Sequence, residues 1–122
     1  MAWIFTRKAP VYQQIVSHIR ADILSGHYLA DSQIPSVRQL AFEAAVNPNT
    51  MQRALSELVN EGVLYTRGTA GHFVTADTAI LEAAHRRQMH EELDELIDRA
   101  RSLGLSKEVL LRYISEKEEW YT

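Results

Sequence analysis

The sequence predicts a mainly α-helical protein with one small β-hairpin set between its third and fourth helices. Three observations carry this expectation. Apolar residues recur at helical spacing in five segments, each bounded by residues that start or stop helices. A single stretch between Val63 and Thr75 changes to β-branched and aromatic runs around a glycine-rich turn. The second and third helical segments are separated by only two residues, Ala45 and Val46.

Pro10 opens the first helix, in which Val11, Ile15, Ile19 and Ile23 recur every fourth residue while Tyr12, Val16 and Leu24 widen the stripe and Gly26 stops it. The following segment, 27–35, reads as irregular. Ser36 caps the second helix, with Gln39 at the capping-box position and Val37, Leu40, Ala41 and Ala44 on one face. After the tight turn, Asn47 caps the third helix, Pro48 takes its first turn, and Met51, Ala54, Leu55, Leu58 and Val59 form its apolar face before Gly62. The runs 63–67 and 72–75 then flank the turn Gly68-Thr69-Ala70-Gly71 as a hairpin. From Asp77 or Thr78 a long helix carries Leu81, Ala84, Met89, Leu93, Leu96, Ile97, Ala100 and Leu103 as a stripe ending at Gly104. Ser106 caps a last helix with Val109, Leu110, Leu111 and Ile114.

The 122 residues suit one small domain and an appendage, and the junction near Ala76 to Thr78 divides them into 1–76 and 77–122. The absence of cysteine excludes disulfides, thiolate zinc sites and thiol nucleophiles. No stretch approaches the ~18 apolar residues of a membrane span, and the start MAWIFTRKAP lacks the pattern of a leader, so no membrane partner and a cytoplasmic location are expected. The net charge of −3 argues at first against a nucleic-acid partner. It is unevenly placed: six Lys/Arg face five acids through Thr75, a balance of +1, and the remainder carries −4. The acidity belongs to the tail.

Three helices with a tight turn before the third, followed by a hairpin, make the order of a winged helix-turn-helix, and the remaining two helices make a dimerisation tail. A helix fits the major groove, and its N-terminal residues reach the base edges. Here those residues are Asn47, Asn49, Thr50, Gln52 and Arg53, all hydrogen-bonding side chains opposite an apolar face. Asn and Gln pair bidentately with adenine, and Arg with guanine or phosphate. Ser36 and Arg38 open the second helix, where exposed amides and a cation suit a backbone phosphate. The competing assignments are local: Asn47 as a cap alone, and Arg53 in an ion pair with Glu57.

PSVRQLA (35–41), VNPNTMQRAL (46–55), ELVNEGVLY (57–65) and GHFV (71–74) resemble the DNA-binding domain of GntR-family bacterial transcription regulators, and the resemblance begins near VYQQI (11–15). The short acidic helical tail is similar to that of the YtrA subfamily. The resemblance implies a phosphate contact for Arg38, DNA-facing roles for Asn49, Thr50, Gln52 and Arg53, and a minor-groove wing tip at Gly71 and His72. It also implies dimerisation through the tail and control of a transporter operon; a small-molecule effector, whose identity nothing in the sequence names, is an expectation added to these. Two departures stand out. The wing usually reads R-G-(K/R)-G-T-F-V; here it runs from Arg67 to Val74, one residue longer and without the basic tip, so Arg67 or His72 is left to substitute. The loop before the second helix usually has Pro-Gly-Asp and here has Ala30-Asp31-Ser32, a change expected to be structural.

A helix from Thr78 to Leu103 extends about 40 Å, more stripe than a domain of this size covers. Leu81, Met89, Leu93, Leu96, Ile97, Ala100, Leu103, Leu110 and Ile114 are therefore expected to pack against a second copy in a homodimer, with Trp120 and Tyr121 covering its end or disordered. His85 and His90 are five apart, off a shared helical face, so neither a metal nor another cofactor is expected. No catalytic motif supports an enzyme. The function expected is a sequence-specific transcription regulator, a repressor acting as a homodimer on a palindromic double-stranded DNA operator. A winged-helix protein-interaction module and an effectorless DNA-binding accessory protein are the alternatives.

Overall fold

The computed structural model describes residues 3–119. Helices α1 (Val11–Leu24), α2 (Val37–Ala44) and α3 (Pro48–Asn60) precede strands β1 (Leu64–Thr66) and β2 (His72–Val74), and helices α4 (Thr78–Ser102) and α5 (Lys107–Glu116) follow. The chain divides into two compact units, Met1–Gln88 and Met89–Thr122. The division falls inside α4 because its first turns belong to the core of the first unit, where Ile80, Leu81 and Ala84 pack.

In the first unit Ile15, Ile19, Leu40, Met51, Leu55, Leu58 and Val63 are sealed from solvent between the three helices and the hairpin. The starts of α2 and α3 are capped as the sequence predicts: Ser36 Oγ accepts from the Gln39 amide at 3.1 Å and Asn47 Oδ1 from the Asn49 amide at 2.7 Å. The turn from α2 to α3 is closed by Ala45 in the left-handed region (φ 58°), with Val46 N–H reaching Ala41 O at 3.0 Å. Holding an alanine there costs on the order of 1 kcal/mol, which the packed helices on either side offset.

β1 and β2 pair antiparallel, Leu64 opposite Val74 and Thr66 opposite His72. The segment before α2 is not irregular throughout. Asp31 N–H donates to Val74 O at 2.8 Å, Val74 N–H to Ser32 O at 3.0 Å and Ile34 N–H to His72 O at 3.0 Å, so residues 31–34 line the second edge of β2. Asp31 enters this pairing with φ 60°, the conformation glycine adopts most readily, at the position where the usual loop has its glycine.

The first unit also buries a polar network. Arg20, only 1% exposed, donates through Nε and NH2 to Glu61 Oε1 and Oε2 at 3.0 and 2.7 Å, and through NH1 to Gln88 Oε1 at 3.0 Å. Gln88 in turn donates to Ser17 Oγ at 3.1 Å, and Arg87 reaches Glu61 at 3.0 Å. This bidentate pair joins α1, the end of α3 and α4. Alongside it, Ile80 packs so closely on Gly62 (φ 81°) that a Cβ there would lie 3.1 Å from Ile80 Cδ1.

In the second unit α4 runs on to Ser102, ends at the left-handed Gly104 (φ 81°), and turns back through a Leu105 N–H to Ala100 O bond of 3.0 Å. Ser106 Oγ accepts from the Val109 amide at 3.2 Å and caps α5. Helix α5 buries no residue. Trp120 and Tyr121, assigned above to the end of an interface, lie outside the described residues.

Candidate nucleic-acid interface

Helix α3 is divided sharply into two faces. Met51, Ala54, Leu55 and Leu58 are buried, while Asn47, Asn49, Gln52 and Arg53 are exposed and Thr50 is half-buried. The core therefore fixes the helix by one face and leaves its hydrogen-bonding start outside. Ser36 and Arg38 are likewise exposed at the start of α2. Asn47 uses its carbonyl oxygen in the cap, as the more local assignment has it. Gln52 Nε2 donates to Ser56 Oγ at 3.3 Å one turn on, a weak contact between neutral groups.

Arg53 does not pair with Glu57. Its guanidinium carbon lies 3.7 Å over the ring of Tyr12 on α1, and Val11, Tyr12, Asn49, Thr50 and Arg53 border one hollow. Stacking occupies the face of the guanidinium and leaves its in-plane N–H donors available for an anion. Tyr12, which at the sequence level only widens an apolar stripe, thus positions a candidate DNA-contacting arginine. Arg38 and Arg53 belong to no ion pair among the described residues.

The wing is braced from below. Arg67 lies 4.6 Å over the Phe73 ring and donates through NH2 to the Tyr65 hydroxyl at 3.0 Å, and that hydroxyl donates to Asp31 Oδ1 at 2.7 Å. A carboxylate in the second-helix loop is in this way linked to the wing arginine. Gln33 Nε2 donates to Ala70 O at the wing tip. Gly71 has φ 116°, a conformation that favours glycine, and a Cβ there would fall 2.8 Å from Gln33 Nε2, so a larger residue would also push the Gln33 carboxamide away from Ala70 O. Burial lowers the pKa of His72 below the ordinary histidine value, which leaves its imidazole neutral at neutral pH. At the wing the only full positive charge is therefore Arg67.

Of the residues expected in the tail interface, Met89, Leu93, Leu96, Ile97, Leu103 and Ile114 are exposed, Leu110 is half-buried and Ala100 is buried. Leu81 is half-buried against the core of the first unit. Arg20 enters the charge balance of the sequence as one cation among six; the structure places it inside, neutralised by Glu61. Its spacing held a signal, since Arg20 follows Val16 by four residues along the buried stripe of α1. Among the described residues, no group of three His, Asp or Glu side chains converges as a metal site, and no helix is long and apolar enough to cross a membrane.

A sealed three-helix core, a polar helix start presented beyond a tight turn and a braced hairpin beside it define a winged helix-turn-helix of the DNA-binding regulator class. Residues 11–74 match the model of the bacterial regulatory proteins of the gntR family, and the chain belongs to that family. It is 33% identical over 109 residues to the HTH-type transcriptional repressor YtrA of Bacillus subtilis, covering 88% of this chain and 83% of that protein, so the likeness includes the helical tail. A GntR family transcriptional regulator from Listeria monocytogenes superposes with a TM-score of 0.74 at 32% identity, covering 93% of this chain and 100% of that one. The DNA-binding domain of AraR in complex with operator ORX1 superposes with a TM-score of 0.56 at 28% identity, over 62% of this chain and 95% of that chain. The family and these relatives are transcription regulators, not enzymes.

Proposed function

We propose that this regulator is a cytoplasmic repressor that binds a palindromic operator as a homodimer, with one copy of α3 in the major groove of each half-site. The observation that carries the reading is the division of α3: four buried apolar residues hold it while Asn49, Gln52 and Arg53 stand exposed at its start. Asn49 and Gln52 are suited to adenine edges, Arg53 to guanine or a phosphate, and Ser36 with Arg38 to the backbone alongside. Arg67, Gly71 and His72 form the wing contact, with His72 as a neutral hydrogen-bonding group. AraR, bound to its operator, and YtrA, a repressor by name, support the same assignment.

The second unit joins two copies through its exposed apolar stripe, in a two-fold arrangement that places the half-site centres about 34 Å apart or a multiple of that. A small molecule lodged against the tail helices biases the separation of the two recognition helices, and the regulated genes are a transporter operon. The test is fluorescence anisotropy with an operator obtained by genomic binding-site selection. Arg38→Ala weakens all sequences alike and reduces the salt slope by about one, while Gln52→Ala relaxes preference at one base pair by roughly 1 to 3 kcal/mol. Unchanged affinity in both variants would contradict the assignment of the reading face.

A further inference from the structure

The arm preceding α1 carries two cations, Arg7 and Lys8, which the α3 and wing contacts do not use. We infer that they form a separate phosphate-binding point on duplex DNA beside the start of α3. The inference rests on the DNA-binding reading above and adds to it a contact made from outside the helix-turn-helix and the wing.

The arm is held in place. The Gln14 carboxamide accepts from the Thr6 amide at 2.9 Å and donates to Thr6 O at 2.9 Å and Ala9 O at 2.8 Å, so one side chain on α1 ties both ends of the segment that carries the cations. Further along, the Trp3 ring stacks on His18 at 3.8 Å and 10°. Arg7 and Lys8 are exposed, and neither side chain takes part in an ion pair among the described residues.

The place where the arm is held is next to the reading face. Val11 and Tyr12, at the first turn of α1, border the same hollow as Asn49, Thr50 and Arg53. Lys8 precedes Val11 by three residues and lies within about 11 Å of it even in an extended chain. A phosphate flanking the base pairs met by α3 is then within reach of a lysine or arginine side chain. Arg7 suits a bidentate grip on phosphate oxygens and Lys8 a point-charge contact. The charge distribution favours this use. With Arg20 neutralised inside and the wing tip lacking its basic residue, Arg7 and Lys8 are two of the five remaining cations before Ala76.

The experiment needs no operator: binding of the full-length protein to a mixed-sequence DNA duplex is followed across a range of salt concentrations. Replacing both cations (R7A with K8A) should lower the slope of log affinity against log salt by about 0.9 for each phosphate no longer neutralised, and weaken binding about tenfold or more at low salt. The charge-conserving exchange R7K with K8R should restore both quantities. Gln14→Ala keeps both charges but frees the arm; it should give a partial loss of affinity, with no further loss when added to R7A/K8A. A charge-matched control in the second unit, K107A with R112A, should leave the slope unchanged. A parental slope in R7A/K8A, or an equal fall in the control, overturns the inference while leaving the DNA-binding reading intact. If the parental protein has no salt-dependent affinity for DNA, the failure is that of the reading itself, and the arm contact falls with it.

Discussion

The two units use their apolar residues in opposite ways. In the first, the stripes of α1, α2 and α3 meet each other and the hairpin, and Ile15, Ile19, Leu40, Met51, Leu55 and Leu58 are sealed. In the second, Leu93, Leu96 and Ile97 are 44–46% exposed and α5 buries nothing. Helical periodicity is present in both, so periodicity alone does not distinguish a core from an interface. The difference is one of closure. The first unit has elements enough to cover its stripes, and two helices of the second leave theirs open to water. Fully burying a leucine or isoleucine is worth about 1.5 to 3 kcal/mol, so several half-exposed ones on neighbouring turns supply a substantial drive for association. The two-fold dimer proposed above would close these stripes, because such an interface presents the same patch on both sides.

The largest effect that sharpens this contrast is inside the first unit. Arg20→Ala removes the guanidinium donors that meet the Glu61 carboxylate and the Gln88 carbonyl, although Arg87 still reaches Glu61. A loss of about 3 kcal/mol is expected in urea unfolding, because charge-assisted hydrogen bonds inside the unit are lost while Arg87 continues to neutralise Glu61. A neutral result would mean that the network does not help hold α1, α3 and α4 together. Next comes the second unit. Leu93→Glu with Ile97→Glu should leave the first unit folded but shift sedimentation from twice the 13.9 kDa chain mass to a single chain. Operator affinity should fall about a hundredfold or more, because two linked half-site contacts become independent ones. The smallest effect concerns the brace of the wing. Tyr65→Phe keeps the ring against Phe73 but removes the hydroxyl between Asp31 and Arg67, and should cost about 1 kcal/mol of stability in thermal unfolding.

The elements and the exposed face of α3 are legible in the sequence because the signals that specify them are local. Ser36, Asn47 and Ser106 each cap the helix immediately following them, and a two-residue turn leaves the start of α3 few directions in which to point. The contacts that escaped sequence reasoning join residues distant in the chain. Arg20 finds Glu61 forty-one residues on, and residues 31–34 find β2 only when the hairpin is in place. Asp31 is legible as a departure from the usual loop, but its link to Tyr65, and through Tyr65 to Arg67, depends on the left-handed turn at φ 60° that only the fold displays. Arg53 is a similar case. Its position on the exposed face followed from spacing, whereas its stacking on Tyr12 depends on how α1 packs against α3.

In the proposed function one unit reads DNA and the other brings two copies of it to the same site. Genomic binding-site selection followed by footprinting addresses both halves at once. The expected result is a symmetric protected site with two half-sites centred about 34 Å apart, or a multiple of that, occupied by two chains. Protection of a single unsymmetrical half-site by one chain, or no protection on any selected fragment, would contradict it.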